Sequence, residues 1–347
     1  MLILSHDEVV AALPPAACIE VMAEVLAARA RGEAYMPLRS IMAAPGADGF
    51  MGLMPAWRAG GRAGSDGADR KGAFALKAIC VMPGNPARGL DAHQGVVTLF
   101  DGETGVPTAI LDGSAVTAIR TAAVSAVATR GLARADASVL AILGASVQAR
   151  AHLTSLPLVR SFAEVRLFST TRERAEALAR DALQGALTAA DAPAESDRLR
   201  VTVADSAEGA VRGADVIVTA TSSRTPVIER AWLAEGAHVN AVGASMPTAT
   251  ELDVDTVADS ALFCDSRESL RNEAGEFRMA VEQGAIPGEE HVRAELGEVL
   301  AGIAPGRTHD RELTLFRSLG IAVEDLAAAQ YAVAQAGRLG IGTEVAL

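Results

Sequence analysis

The spacing of apolar positions along this chain changes twice, and each change marks a different kind of structure. The first thirty residues read as helical. Ser5 and Glu8 have the spacing of a capping box ahead of a short helix, and Pro14 and Pro15 end it. Ile19, Met22, Val25 and Leu26 then line one face of a second helix that stops near Gly32. From 37 to 112 the pattern changes to strands and turns. Strands are expected in RSIMAAP, GFMGLMPAW, AFALKAICVM, QGVVTLFD and VPTAILD, with DGETG joining the last two as a hairpin. The stretch 58–72 is glycine-rich, charged and aperiodic, and is expected to be a mobile hairpin loop rather than a domain linker.

A helix over 114–130, capped by Ser114 and stopped by Gly131, opens the third region. Short apolar strands follow at 138–143, 164–168, 200–204, 215–220, 237–242 and 260–264, with helical stretches between them. After 265 the chain reads as mostly helical. Strand–helix alternation of this kind builds a parallel, doubly wound sheet with helices on both faces.

Composition narrows the function classes. A chain of 347 residues is long enough for two domains with real cores. Few aromatics mean that the core is packed from Ala, Val, Leu and Ile. A net charge of −12 argues against nucleic acid as a partner and requires any anion site to be made locally, from inward-pointing Arg and Lys. Cys18, Cys80 and Cys264 are scattered in apolar contexts, and the six histidines are dispersed. No metal site is expected, and the thiols read as reduced, in a cytoplasmic protein. The apolar run at the N-terminus is too short for a signal peptide, and no run approaches the length of a membrane span.

The stretch LAILGASVQARAHL (140–153) has the order strand, glycine turn, helix that a dinucleotide pyrophosphate requires. Gly144 and Ala149 fill the first and third positions of the glycine fingerprint, but Ser146 stands at the second. A serine there is small, and its hydroxyl is a candidate phosphate donor at a helix N-terminus. The end of the next strand decides between cofactors. NAD sites place an acid there and NADP sites an arginine with small polar groups. Here Ser169, Thr170, Thr171 and Arg172 precede the first acid, Glu173, so NADP(H) is favoured over NAD(H). The same residues also serve as an ordinary helix cap followed by a surface arginine.

Lys77 interrupts the apolar run FALKAIC. Alternation puts Phe74, Leu76 and Ala78 on one strand face and Ala75, Lys77 and Ile79 on the other. A lysine in a strand this apolar needs an assigned partner.

Several motifs together resemble the ornithine cyclodeaminase/mu-crystallin family across nearly the whole chain. They are MPLRS (36–40), FALKAICVMPGNPARGLDAHQG (74–95), TGVPTAILDGSAVTAIRTAAVSA (104–126), GASVQA (144–149), NAVGASMPTATELD (240–253), AELGEVLAG (294–302) and TLFRSLGIAVEDLA (314–327). The resemblance implies an α/β fold: a Rossmann-type doubly wound parallel sheet plus an α+β substrate-binding and dimerisation domain. The latter covers 1–120 completed by 310–347, and the nicotinamide domain covers 121–309. A homodimer acting on a small imino or amino acid is expected.

By the same resemblance, Arg39 and Arg120 match carboxylate-binding arginines, which suit a carboxylate through their forked donors. Lys77 matches an active-site lysine; desolvated near two arginines, it would exchange protons at neutral pH. His93 matches a position near the nicotinamide, and Glu273 an acid near the ligand. Thr121, Val147, Gln148, Thr221, Val242 and Ser318 join the cofactor residues named above. From the residues alone, Arg39 reads equally as an edge-strand charge, Arg120 as a solvated helix residue, His93 as a loop histidine and Glu273 as part of a solvated helix face. Ser245 discriminates among reactions. Cyclodeaminases of the family resemble Gly-x-Asp-x-Pro-Gly-Lys here, and a serine hydroxyl has no basicity near pH 7 with which to replace that aspartate. The reading is therefore NAD(P)H-dependent reduction of a small cyclic α-imino carboxylate, such as pyrroline- or piperideine-2-carboxylate. Its alternatives are ornithine cyclodeaminase-like or amino-acid dehydrogenase chemistry, and a non-catalytic NADP-retaining ligand-binding protein.

Overall fold

The alternating stretch folds as an antiparallel sheet because each strand has one apolar face to bury. In this computed structural model, residues 1–62, 69–70, 72–183, 199–243 and 245–346 are described. The chain forms two compact units, Met1–Arg120 with Gly320–Leu347, and Thr121–Leu319.

In the first unit, strands Phe50–Arg58, Ala73–Val81, His93–Asp101 and Pro107–Asp112 pair antiparallel in succession. Leu2–Leu4 joins Pro107–Asp112 in parallel, and Thr343–Glu344 closes that edge. Met54, Ala56, Ala75, Ile79, Val97 and Leu99 form the buried inner face. It packs against the helix Ala322–Leu339, which in turn packs on the helix Pro15–Ala30. Ile19, Met22, Val25 and Leu26 are all buried, as their spacing predicts. The capping box also forms, with the Ser5 N–H donating to the Glu8 carboxylate at 2.8 Å. Residues 63–68 and 71 of the loop expected at 58–72 lie outside the described residues, and its flanks Gly61–Arg62 and Asp69–Arg70 pair antiparallel.

The second unit is a fully parallel eight-stranded sheet. Its order is Arg200–Val203, Glu164–Phe168, Val139–Leu143, Val216–Thr219, His238–Ala241, Thr314–Arg317, Ala261–Cys264, Val292–Glu295. The six strands expected from the sequence form within one or two residues of their expected bounds. Two further strands do not match the expected helical tail. Thr314–Arg317 sits between His238–Ala241 and Ala261–Cys264 and is buried throughout, so residues 310–319 fold with this unit rather than with the first. A four-residue buried strand has no period of its own, so its pattern cannot be told from buried helix.

The helix expected over 114–130 runs from Gly113 to Leu132. Its first N–H groups are satisfied by Asp112, whose Oδ1 accepts from the Ala115 N–H at 2.7 Å, rather than by Ser114. The Ser114 hydroxyl instead donates to the His93 carbonyl. Among the described residues, no single helix is long and apolar enough to cross a membrane.

Candidate active site

Lys77 lies on the buried inner face of its strand, 3% exposed, where it meets the first turn of the helix Ala322–Leu339. Its Nζ donates to both oxygens of Asp325, each at 3.1 Å. Asp325 Oδ1 also accepts from Nε of Arg120 at 3.0 Å, and Arg120 Nη1 donates to Glu324 at 2.8 Å. All four side chains are buried. Burial holds the Lys77 ammonium down at about 8, with Arg120 and Arg39 pushing the same way and Asp325 opposing. Asp325 is desolvated as well, yet Arg120 and Lys77 outweigh that and hold its carboxyl below the usual range. Two acids at a helix N-terminus also sit at the positive end of its macrodipole.

Arg39 donates from Nη2 to the carbonyl of Gly320 at 2.7 Å. Gly320 has φ +75, and a side chain there would run into the Arg120 guanidinium. The glycine therefore lets the chain turn into the helix beside that arginine. His93 opens its strand with an exposed side chain, and desolvation, then Lys77 and Arg120, lower its pKa against the opposing Asp91. Lys77, Arg120 and Arg39 thus belong to one electrostatic cluster. Arg120 is a buried, doubly paired residue, not a solvated one. The sequence reading did not single out Glu324 and Asp325, although both stand in the motif TLFRSLGIAVEDLA; acids in a first helical turn ordinarily face water.

In the second unit, the strand Val139–Leu143 turns at Gly144 into the helix Val147–Ser155. Gly144 has φ +116, and a Cβ there would lie 2.4 Å from the Ala220 carbonyl oxygen. Only glycine fits this crossing of adjacent strand ends, the tight turn a nucleotide loop requires. Ser146 is the helix N-cap: its Oγ accepts from the Ala149 N–H at 3.4 Å and donates to the Ala220 carbonyl at 3.2 Å. In this structure its one proton is directed to the Ala220 carbonyl. The exposed Val147 and its neighbour Gln148 begin the helix, whose N-terminus carries the positive end of its dipole.

At the end of the second strand, Ser169 Oγ accepts from the Thr171 N–H at 3.2 Å. Arg172 is half-exposed and bridges Glu176 at 2.9 Å and Asp205 at 2.6 Å. Both contacts are surface ion pairs, which are worth little in water and are readily exchanged. Thr121, Val242 and Ser318 are buried.

Glu251 is fully buried and went unremarked in the sequence. It accepts from Thr219 Oγ1 (2.8 Å), Thr221 N (2.7 Å), Thr221 Oγ1 (2.8 Å) and Gly243 N (2.7 Å). One carboxylate therefore ties together the C-terminal ends of two neighbouring strands, where ligands bind in open α/β sheets. Nothing in the sequence separates Glu251 from Asp253 two residues on, which is an ordinary N-cap to Thr256. Ser245 is half-buried in the segment after His238–Ala241, and Glu273 is buried at the end of the helix Arg267–Glu273. Glu276 and Arg317 form a buried ion pair nearby in the sequence, and burial raises the Glu276 carboxyl despite that arginine.

A family model described as the ornithine cyclodeaminase/mu-crystallin family matches residues 1–337. The ketimine reductase mu-crystallin of Mus musculus is 38% identical over 299 residues, covering 86% of this chain and 84% of that protein. The Thermococcus litoralis Δ1-pyrroline-2-carboxylate reductase, solved with NADH and L-proline, superposes with a TM-score of 0.90 at 33% identity, covering 99% of this chain and 100% of that one. An archaeal alanine dehydrogenase dimer with bound NAD superposes with a TM-score of 0.88 at 31% identity, covering 100% and 99%.

Proposed function

The chain belongs to the ornithine cyclodeaminase/mu-crystallin family, and from that premise we propose that it is an oxidoreductase that reduces a small cyclic α-imino carboxylate to the cyclic amino acid with a nicotinamide cofactor. The observation that carries this reading is the buried Lys77–Asp325–Arg120 cluster. A lysine with its proton held at about 8 is matched to giving that proton up near neutral pH.

The reaction needs a carboxylate clamp, a proton for nitrogen and a hydride for carbon. Arg39 and Arg120 are assigned to the carboxylate, with Arg120 already oriented by Glu324 and Asp325. Lys77 holds the proton that the imine nitrogen takes, so that the C=N carbon becomes electrophilic. The reduced nicotinamide, when bound, supplies the hydride and is oxidised as the C=N bond becomes C–N. Holding the two reactants together accounts for roughly 7–11 kcal/mol of the barrier. His93, Ser245 and Glu273 are assigned to the substrate's surroundings.

The glycine-only turn at Gly144 and the first-turn N–H groups of Val147–Ser155 fit a pyrophosphate. Gly144, Ser146, Val147 and Gln148 would hold it, with Ser146 acting through its cap rather than through a donated proton. Ser169, Thr170, Thr171 and Arg172 would receive a 2′-phosphate, which favours NADP(H). Thr121, Thr221, Val242 and Ser318 would complete the cofactor site. The first unit is assigned to substrate binding and dimerisation and the second to the nicotinamide, and the assembly is a homodimer.

The test is a panel of Δ1-pyrroline-2-carboxylate, Δ1-piperideine-2-carboxylate and pyruvate with ammonia, each assayed with NADPH and with NADH, beside L-ornithine with NAD. Consumption of a cyclic imine is expected, with no proline or ammonia from ornithine. Lys77→Ala should lower kcat/KM by about 10²–10⁴-fold. Failure of every cyclic imine with intact NADPH binding would replace the reading with a non-catalytic binder.

A further inference from the structure

We infer that Asp325 is a positioning residue, a single buried carboxylate that holds the Lys77 ammonium and the Arg120 guanidinium in fixed relation to each other. The inference rests on the imine-reductase reading and adds to it a residue that motif matching did not assign.

The geometry singles out Asp325 rather than its neighbour. Its Oδ1 is shared between Lys77 Nζ at 3.1 Å and Arg120 Nε at 3.0 Å, and its Oδ2 takes a second contact from Nζ at 3.1 Å. Lys77 has three donors, and two of them are directed at one rigid carboxylate. The direction of the third is thereby fixed, whereas an ammonium on a four-carbon stem otherwise rotates freely. Glu324 accepts from Arg120 Nη1 at 2.8 Å, and the same carboxylate oxygen accepts from the Ile321 N–H at the helix start. The two acids therefore have separable duties. Asp325 acts on both cations, and Glu324 acts on Arg120.

A purely stabilising role does not account for the arrangement. Buried ion pairs of this kind are commonly neutral or unfavourable relative to well-packed apolar residues of similar size. The flanking inner-face positions, Ala75 and Ile79, are already apolar. The charged groups acting on Lys77 are Asp325, Arg120 and Arg39, with His93 also coupled to it. Among the described residues, Asp325 is the one anion that opposes burial and the two guanidinium groups and keeps the ammonium protonated.

The experiment uses the full-length protein with a cyclic imine that wild type reduces, and follows kcat and KM from pH 6 to 10. Wild-type kcat/KM is expected to fall as pH rises through about 8, where Lys77 loses its proton. Asp325→Asn removes the anion, so the alkaline limb is expected to move to lower pH by one unit or more, with KM raised because Arg120 is loosened. Glu324→Gln is expected to raise KM and leave the limb in place. Asp325→Glu keeps the charge but changes the reach, so the limb stays while kcat falls. It carries the test if the asparagine variant does not fold. Calorimetric binding of L-proline against pH gives a readout independent of turnover. An Asp325→Asn protein that folds with an unmoved limb and unchanged KM, or an Asp325→Glu protein with wild-type kcat, would overturn the inference. Inactivity of wild type on every imine would instead overturn the reaction assignment, and the proline titrations would still decide the role of Asp325.

Discussion

At single residues, the chemistry follows from what each polar group has already been given to bond. Arg172 shows how this works for the cofactor. It is half-exposed and held by Glu176 and Asp205, both weak surface partners. A 2′-phosphate arriving there gains a charge-assisted contact by displacing one carboxylate. Arg172→Ala is therefore expected to weaken NADPH roughly ten-fold with little effect on NADH. Asp205→Asn, which removes a competing anion, is expected to improve NADPH. Cofactor titration by fluorescence checks both, and equal affinity of wild type for the two cofactors would sink the NADP assignment. Ser146 makes the opposite point. Its replacement of the usual glycine reads as a phosphate donor in the sequence, and in the structure its proton goes to Ala220 and its lone pair to Ala149. The sequence shows that a hydroxyl is present; only the fold shows where its proton goes.

At the scale of elements, legibility tracked periodicity. The inner face of the antiparallel strands and the six central parallel strands could be read because alternation and isolated apolar runs leave a signature. Thr314–Arg317 left none, being four residues long and buried on every side. The sequence puts the helix cap at Ser114 and the structure puts it at Asp112: either side chain is a good cap, and the competing partner of Ser114, the His93 carbonyl, lies twenty-one residues away. Lys77, Arg39 and Arg120 were legible as candidates, but Asp325, Glu324 and Glu251 were not. Their significance comes from donors distant in sequence. Glu251 offers a test. Whichever of its oxygens becomes the amide N–H₂ in Glu251→Gln faces a backbone N–H that can only donate, and the change should cost about 2–3 kcal/mol by thermal or urea unfolding. A second test concerns the histidines of the parallel unit. Burial lowers His152 to about 4; it lowers His238 to about 3, with Arg307 adding to the effect. Both are neutral when folded, whereas the unfolded chain protonates them near 6.5. Their contribution to stability is full above pH 6.5. It falls as pH drops toward 4 for His152 and toward 3 for His238, at up to about 1.4 kcal/mol per pH unit for each. Melting temperatures between pH 7.5 and 5 should show the fall, and His238→Asn should flatten it. An unchanged slope in that variant would rule His238 out as a source.

At the scale of the whole molecule, what the first unit leaves exposed is as informative as what it buries. Its sheet has a second face, and along it Leu53, Phe74 and Val96 project outward at 36%, 47% and 39% exposure, with Met42 on the same face at 59%. The strand register sets Leu53 and Val96 on either side of Ala78, and Met42 opposite Met51, two residues from Leu53 on the same face. Scattered exposed apolar residues are ordinary, but a contiguous apolar sheet face is a site for association. A chain with a net charge of −12 resists nonspecific association through self-repulsion, so specific pairing must rest on a patch nearly free of charge. A two-fold dimer meets this requirement by placing the same patch against itself. Light scattering at micromolar concentration is therefore expected to give twice the monomer mass of 35.6 kDa. Phe74→Glu combined with Leu53→Glu, which puts like charges into both copies of the patch, should lower the mass toward the monomer. It should leave the Lys77–Asp325 ion pair in place, since strand alternation directs Lys77 to the other side of the sheet. A wild-type mass near 35.6 kDa, or a double variant that stays fully dimeric, would show that this face is not the interface.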